Sequence, residues 1–179
     1  MQLQRRFVSV LFILILITLT FFIYYGRNDM HPEKALKRFS TEIKNENLVR
    51  LNLTIYYLSP HILTLYPYSV DDLTNRSYEY KIDIDGSRLE EHIDLFKKIN
   101  SEALIPVEHK SRINARICFV IKNNKGQKIL EVAMWGDDES IFVNGVEIIE
   151  NELFYTVVLQ FLPEDIMSEL EAHLTGKGD

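Results

Sequence analysis

Few side chains in this 179-residue chain have chemistry to offer: five histidines, one cysteine and several short groups of neighbouring carboxylates. His31, His61, His92, His109 and His173 are scattered, and no His-Glu-x-x-His or other close ligand pair occurs. Cys118 is alone, which excludes an intramolecular disulfide, a thiolate zinc site and a Cys-x-x-Cys redox centre. No Gly-x-Ser-x-Gly elbow, phosphate-cradling glycine loop or dinucleotide fingerprint is present, so no cofactor is expected. His92, on the inward side of a helical pattern, reads as a packed histidine rather than a ligand.

The carboxylates admit weaker readings. Asp83-x-Asp85-Gly86 opens like a calcium loop but lacks the third oxygen position and the closing Glu, so it reads as a strand-to-helix turn. Asp137-Asp138-Glu139 and Asp71-Asp72 offer negative charge for a cation or a basic partner, against the simpler reading of solvated turns. Tyr56, Tyr57, Tyr66, Tyr68, Tyr78 and Tyr80 crowd into 25 positions, and most of them suit ordinary sheet packing. Tyr66 and Tyr68, on either side of Pro67, are the candidates to anchor a protein or saccharide ligand.

Charge is unevenly spread. From Ile129 to Asp179 there are 12 acidic residues and one lysine, Lys177, while Arg27 to Lys128 carries 17 basic and 14 acidic residues. The portion after residue 26 is therefore at −8, which disfavours nucleic acid and favours a cationic protein partner.

These groups must be held by elements that the hydropathy pattern outlines. Phe7 to Tyr25 is apolar apart from Ser9, Thr18 and Thr20, and as a helix it reaches about 28 Å, enough to span the hydrocarbon of a bilayer. Arg5 and Arg6 precede it, and Tyr24 and Tyr25 suit the interfacial belt. A cleaved signal peptide would have a shorter apolar region and small residues at its end, so residues 1–26 are read as a cytoplasmic start and a single-pass signal anchor. The downstream flank is the more basic one, with Arg27, Lys34, Lys37 and Arg38, which opposes that orientation. The signal-anchor arrangement is given the greater weight, and the C-terminal part is expected outside the cytoplasm. The sequons at Asn52 and Asn75 are read as chance occurrences.

Residues 27–46 are assigned a juxtamembrane helix, Pro32 to Lys44, with Leu36, Phe39 and Ile43 on one face. Its lysines could lie on a membrane surface, but Glu33 and Glu42 favour a helix packed on the domain. Residues 47–179 read as one α+β domain. Alternation predicts strands over Leu48 to Leu58, Ile62 to Tyr66 and Tyr78 to Ile84; Ser87 and Glu90 suggest a capping box for a helix from Arg88 to Ile99. Ile113 to Ile121 and Lys128 to Trp135 predict a hairpin turning at Asn123 to Gly126, and Asn144-Gly145 predicts a second between residues 141–143 and 146–149. Asn151 caps a helix to Leu162, and Pro163 opens the last one. The expectation is an antiparallel sheet of about five to seven strands, covered by helices on one face, with Trp135, Phe142 and Phe154 in the core.

The function expected from these features is a membrane-anchored extracytoplasmic binding or interaction module without catalytic activity. One alternative is an immunity-type protein that captures a basic toxin on its acidic final third. The other is an envelope hydrolase that combines Asp137, Asp138 or Glu139 with His92 or His109.

Overall fold

In a computed structural model that describes residues 32–44, 48–99, 104–107, 113–134, 140–149 and 151–175, the chain builds an α+β fold around one antiparallel sheet. The strands are β1 (Leu51–Tyr57), β2 (Tyr80–Ile84), β3 (Ile117–Asn123), β4 (Lys128–Met134), β5 (Ile141–Val143) and β6 (Val146–Ile148), in spatial order β2-β1-β3-β4-β5-β6. The helices are α1 (Pro32–Lys44), α2 (Val70–Asp72), α3 (Gly86–Glu90), α4 (Ile93–Lys97), α5 (Glu152–Leu159) and α6 (Glu164–Thr175). Among the described residues no helix is long and apolar enough to cross a membrane. The run Phe7 to Tyr25 and the anchor read from it lie outside those residues, as do His31, His109, Trp135, Asp137, Asp138 and Glu139.

Side chains alternate across a pleated strand, and β1 shows the consequence. Leu51, Leu53, Ile55 and Tyr57 are fully buried on one face, joined there by Ile117, Phe119 and Ile121 of β3 and Leu130, Val132 and Met134 of β4. Helices cover this inner face. α1 contributes Ala35, Leu36, Phe39 and Ile43, so this helix is packed on the domain as part of its core. Phe39 meets Phe96 of α4 edge to face with ring centroids 6.1 Å apart, and α5 adds Phe154, Val157 and Val158.

The outer face is covered as well, which the sequence pattern does not anticipate. Tyr56, Cys118, Val120, Ala133 and Phe142 form a second, smaller cluster with Leu58, Leu73 and Ala115. Its cover is the connection between β1 and β2, where Tyr68, Val70 and Leu73 pack back onto the sheet. Both faces of the sheet are therefore withdrawn from water at its centre.

Strand pairing explains the other departures from the sequence reading. β1 pairs with β2 along one edge and with β3 along the other, so residues 62–66 cannot return as a hairpin beside β1 and run as bends. Two strands antiparallel to one neighbour are parallel to each other, and β2 returns to β3 through the crossover that contains α3 and α4. The helix read over 88–99 is two short helices. Its cap is not Ser87: Asp85 Oδ1 accepts from the Arg88 amide at 3.0 Å, and the chain breaks at Glu91 and His92. Gly86 follows the cap because a Cβ there would stand 2.2 Å from the Leu48 carbonyl oxygen.

The two hairpins form as the turn residues require. Asn144 (φ 48°) and Gly145 (φ 77°) make the tight turn between β5 and β6, with Val143 paired to Val146. Asn144 also ties the turn to β4, its Oδ1 accepting from the Glu131 amide at 2.9 Å. A register shift at Ile129 lets both Ile129 and Leu130 reach the core. The outer edge of β6 is met by residues 105–107, where the Ile149 amide donates to the Ile105 carbonyl at 2.8 Å.

Because Phe39 is fully buried between the sheet and Phe96, Phe39→Ala is expected to cost about 3–5 kcal/mol of unfolding free energy in denaturant titration. An unchanged midpoint would show that α1 is not a structural part of the domain.

Candidate functional site

The residues with the most unusual exposure belong to the chain that leaves β1. Leu63 is 96% exposed and Leu65 94%, beside Tyr66 at 65% and Ile62 at 40%. Isolated surface leucines are common, but four large apolar side chains within five positions form a patch. From Ser59 to Val70 there is no Asp, Glu, Lys or Arg.

Buried polar contacts hold this loop in shape. Pro60 suits the second position of a turn closed by the Ile62 amide on the Ser59 carbonyl at 3.1 Å. Arg116, itself 7% exposed, reaches under the loop: its guanidinium donates to the carbonyls of Ser59 at 3.3 Å and Ile62 at 2.9 Å, and to Thr64 Oγ1 at 3.4 Å. A planar fork with five donors suits this task, because it satisfies several loop acceptors from one anchored side chain. At the far end the Ala115 amide donates to the Tyr68 carbonyl at 2.9 Å, and Asn114 Oδ1 accepts from the Tyr68 amide at 3.3 Å.

A second anchor comes from α6. Glu169 accepts from the Tyr57 hydroxyl at 2.7 Å through Oε2 and from the Ser59 hydroxyl through Oε1, and His61 Nε2 stands 3.6 Å from Oε1. Burial, followed by the hydrogen bond and charge of Glu169, pushes the Tyr57 phenol well above its ordinary range, so it remains a neutral donor. Ser59, His61 and Glu169 contain the residue types of a hydrolytic triad in the wrong order. The carboxylate, not the imidazole, receives the serine proton, and the Ser59 oxygen accepts the backbone amide of His61 at 3.2 Å. The geometry fastens the loop to α6 and β1.

The sequence candidates divide accordingly. Tyr66 lies in the exposed patch, whereas Tyr68 is half-buried against the second core cluster and helps hold the loop's far end. Asp137, Asp138 and Glu139 lie outside the described residues. Asp72 is engaged in the capping box with Ser69, and Asp83 accepts from Thr54 at 2.7 Å and Lys81 at 2.9 Å, which holds its carboxyl below the usual range. Asp85 caps α3, so the two carboxylates of the apparent calcium motif serve separate tasks. Among the described residues no three His, Cys, Asp or Glu side chains gather closely enough to hold a metal. His92 packs edge to face on Phe161 at 5.0 Å, in keeping with a packed histidine. Cys118 is buried, and desolvation pushes its thiol far up.

Sequence reasoning missed Arg116 and Glu169. Each left a trace: Arg116 is the charge that opens the apolar run of β3, and Glu169 stands three positions after Ile166, at the margin of the apolar stripe of α6. One open cleft of about 490 Å³ lies elsewhere, between α1 and α4, walled by Leu36, Ile43, Phe96 and Ile99.

Since the folded phenol of Tyr57 titrates above the unfolded value near 10, its contribution is fully present below that pH and is lost as pH rises beyond it. Tyr57→Phe is expected to cost about 1 kcal/mol at neutral pH through the unmade bond to Glu169, and to flatten the loss of stability as pH rises above about 10. Denaturant titrations across that range decide the matter; equal slopes for both chains would remove Tyr57 as the source. Comparison of the chain with protein-family models, with curated proteins and with solved structures returns no match, so a role must be argued from this geometry.

Proposed function

We propose that the chain is a membrane-anchored extracytoplasmic binding module without catalytic activity, and that its contact surface is the apolar loop over residues 59–66. The observation that carries this reading is the exposure of Leu63 and Leu65 on a loop that Arg116 and Glu169 hold in place. Leaving such side chains in water forgoes roughly 1.5–3 kcal/mol each relative to burial, and fixing the loop prevents it from folding back to recover that energy. A rigid apolar surface is suited to association, because little ordering entropy remains to be lost when it is covered. The run Phe7 to Tyr25 supports the anchor, and its basic start supports a domain outside the cytoplasm.

Thiol labelling tests the surface and the orientation together, since Cys118 is buried and leaves a quiet background. Leu65→Cys is expected to react quickly with a membrane-impermeant maleimide in detergent-solubilised protein and severalfold more slowly in intact cells. Lys125→Cys, in the turn at the opposite end of the sheet, should react equally in both. Equal reactivity of the two positions in cells would show that nothing covers the loop. Labelling of neither position until cells are opened would place the domain on the cytoplasmic side.

A further inference from the structure

We propose that the loop over residues 59–66 dips into the headgroup boundary of the bilayer, seating Leu63 and Leu65 among the upper acyl carbons with the Tyr66 ring at the polar level. The inference rests on the reading of this loop as the contact surface and names what covers it.

The chemistry of the loop favours lipid. No charged carboxylate, ammonium or guanidinium occurs between Ser59 and Val70, and the two hydroxyls nearest the tip are already engaged, Ser59 with Glu169 and Thr64 with Arg116. Arg116 also takes up the carbonyls of Ser59 and Ile62, which reduces the backbone desolvation that entry into an interface would require. Leu63 and Leu65 project almost completely into solvent, and a protruding apolar tip can enter between lipids. A protein interface of ordinary kind adds a polar rim with hydrogen-bonding side chains, and this loop offers few. Tyrosine, with an apolar body and a hydroxyl, suits the level where hydrocarbon meets water.

The length of chain before the domain favours lipid as well. The apolar run ends at Tyr25 and α1 begins at Pro32, leaving six residues that extend at most about 21 Å. α1 belongs to the core, so the whole domain is held close to the bilayer. α1 is about 19 Å long and passes into β1 at its Leu51 end, whereas the loop leaves from the Tyr57 end. The loop itself carries no Lys or Arg, so its insertion is apolar and is expected to be insensitive to salt.

The full chain reconstituted into phosphatidylcholine liposomes provides the test. In a Trp135→Phe background, the indole introduced by Leu63→Trp should emit at shorter wavelength and be quenched by lipids brominated on their acyl chains, equally at low and high salt. The indole introduced by Lys125→Trp should be unaffected. Adding Leu65→Glu, at a side chain that contributes nothing to the core, should reduce the inserted population about tenfold or more. If Trp135→Phe does not fold, Leu63→Cys carrying a nitroxide reports the same depth through its contact with oxygen against a water-soluble nickel chelate. Retention of the chain after carbonate extraction with no quenching, and an indole open to iodide, would overturn the proposal while leaving the anchor in place. Shielding from iodide in native membranes without quenching by brominated lipid would overturn it in favour of a protein partner. Extraction of the whole chain by carbonate would overturn the anchor itself and the tether with it.

Discussion

β1 pairs along both of its edges, and much of the structure follows from that constraint. A strand has two rows of backbone donors and acceptors, and once β2 and β3 have taken them, the chain that leaves Tyr57 cannot turn back to pair with β1. Its backbone groups must be satisfied otherwise. The second face of the sheet, with Tyr56, Cys118 and Phe142, also needs a cover, and the 22-residue connection from β1 to β2 is what supplies it. The connection is fixed at its middle by apolar packing of Tyr68, Val70 and Leu73, which leaves residues 59–66 projecting beyond the sheet.

Loops of that kind usually exchange hydrogen bonds with water and move. Here the acceptors are met by Arg116, and the start of the loop is pinned by a carboxylate that takes hydroxyls from Tyr57 and Ser59. Both anchors are charged groups placed at the margin of the core, where hydrogen bonds are stronger than in water and an unpaired partner is costly. The polar network and the apolar tip are thus parts of one arrangement. Without the network the leucines could fold back against the protein, and without the leucines there would be little reason for so many polar contacts to serve a loop of eight residues.

The helices perform a separate task on the inner face. α1 enters the core through Phe39 and Leu36, α4 through Phe96, and α5 through Phe154, so the part of the chain nearest the apolar run is bound into the domain.

What was legible in the sequence was what local pattern encodes. Period-two burial in Leu51, Leu53, Ile55 and Tyr57 marked a strand and its inward face, the pair Asn144-Gly145 marked a turn that needs positive φ, and Asn151 marked the start of α5. Spacing of Leu36, Phe39 and Ile43 marked α1 and the side that it buries. The same local rules misread residues 62–66 as a strand, because alternation reports a propensity and not whether an edge is vacant. They placed a cap at Ser87, because the break at Glu91 depends on how α3 and α4 pack and Gly86 must pass against Leu48. Only the tertiary structure brought Ser59 to Glu169, 110 positions away, and Arg116 to Ile62, 54 positions away. A side chain's own type and its near neighbours determine the face on which it lies, whereas the partner it meets is decided by strand order, which no short stretch of sequence contains.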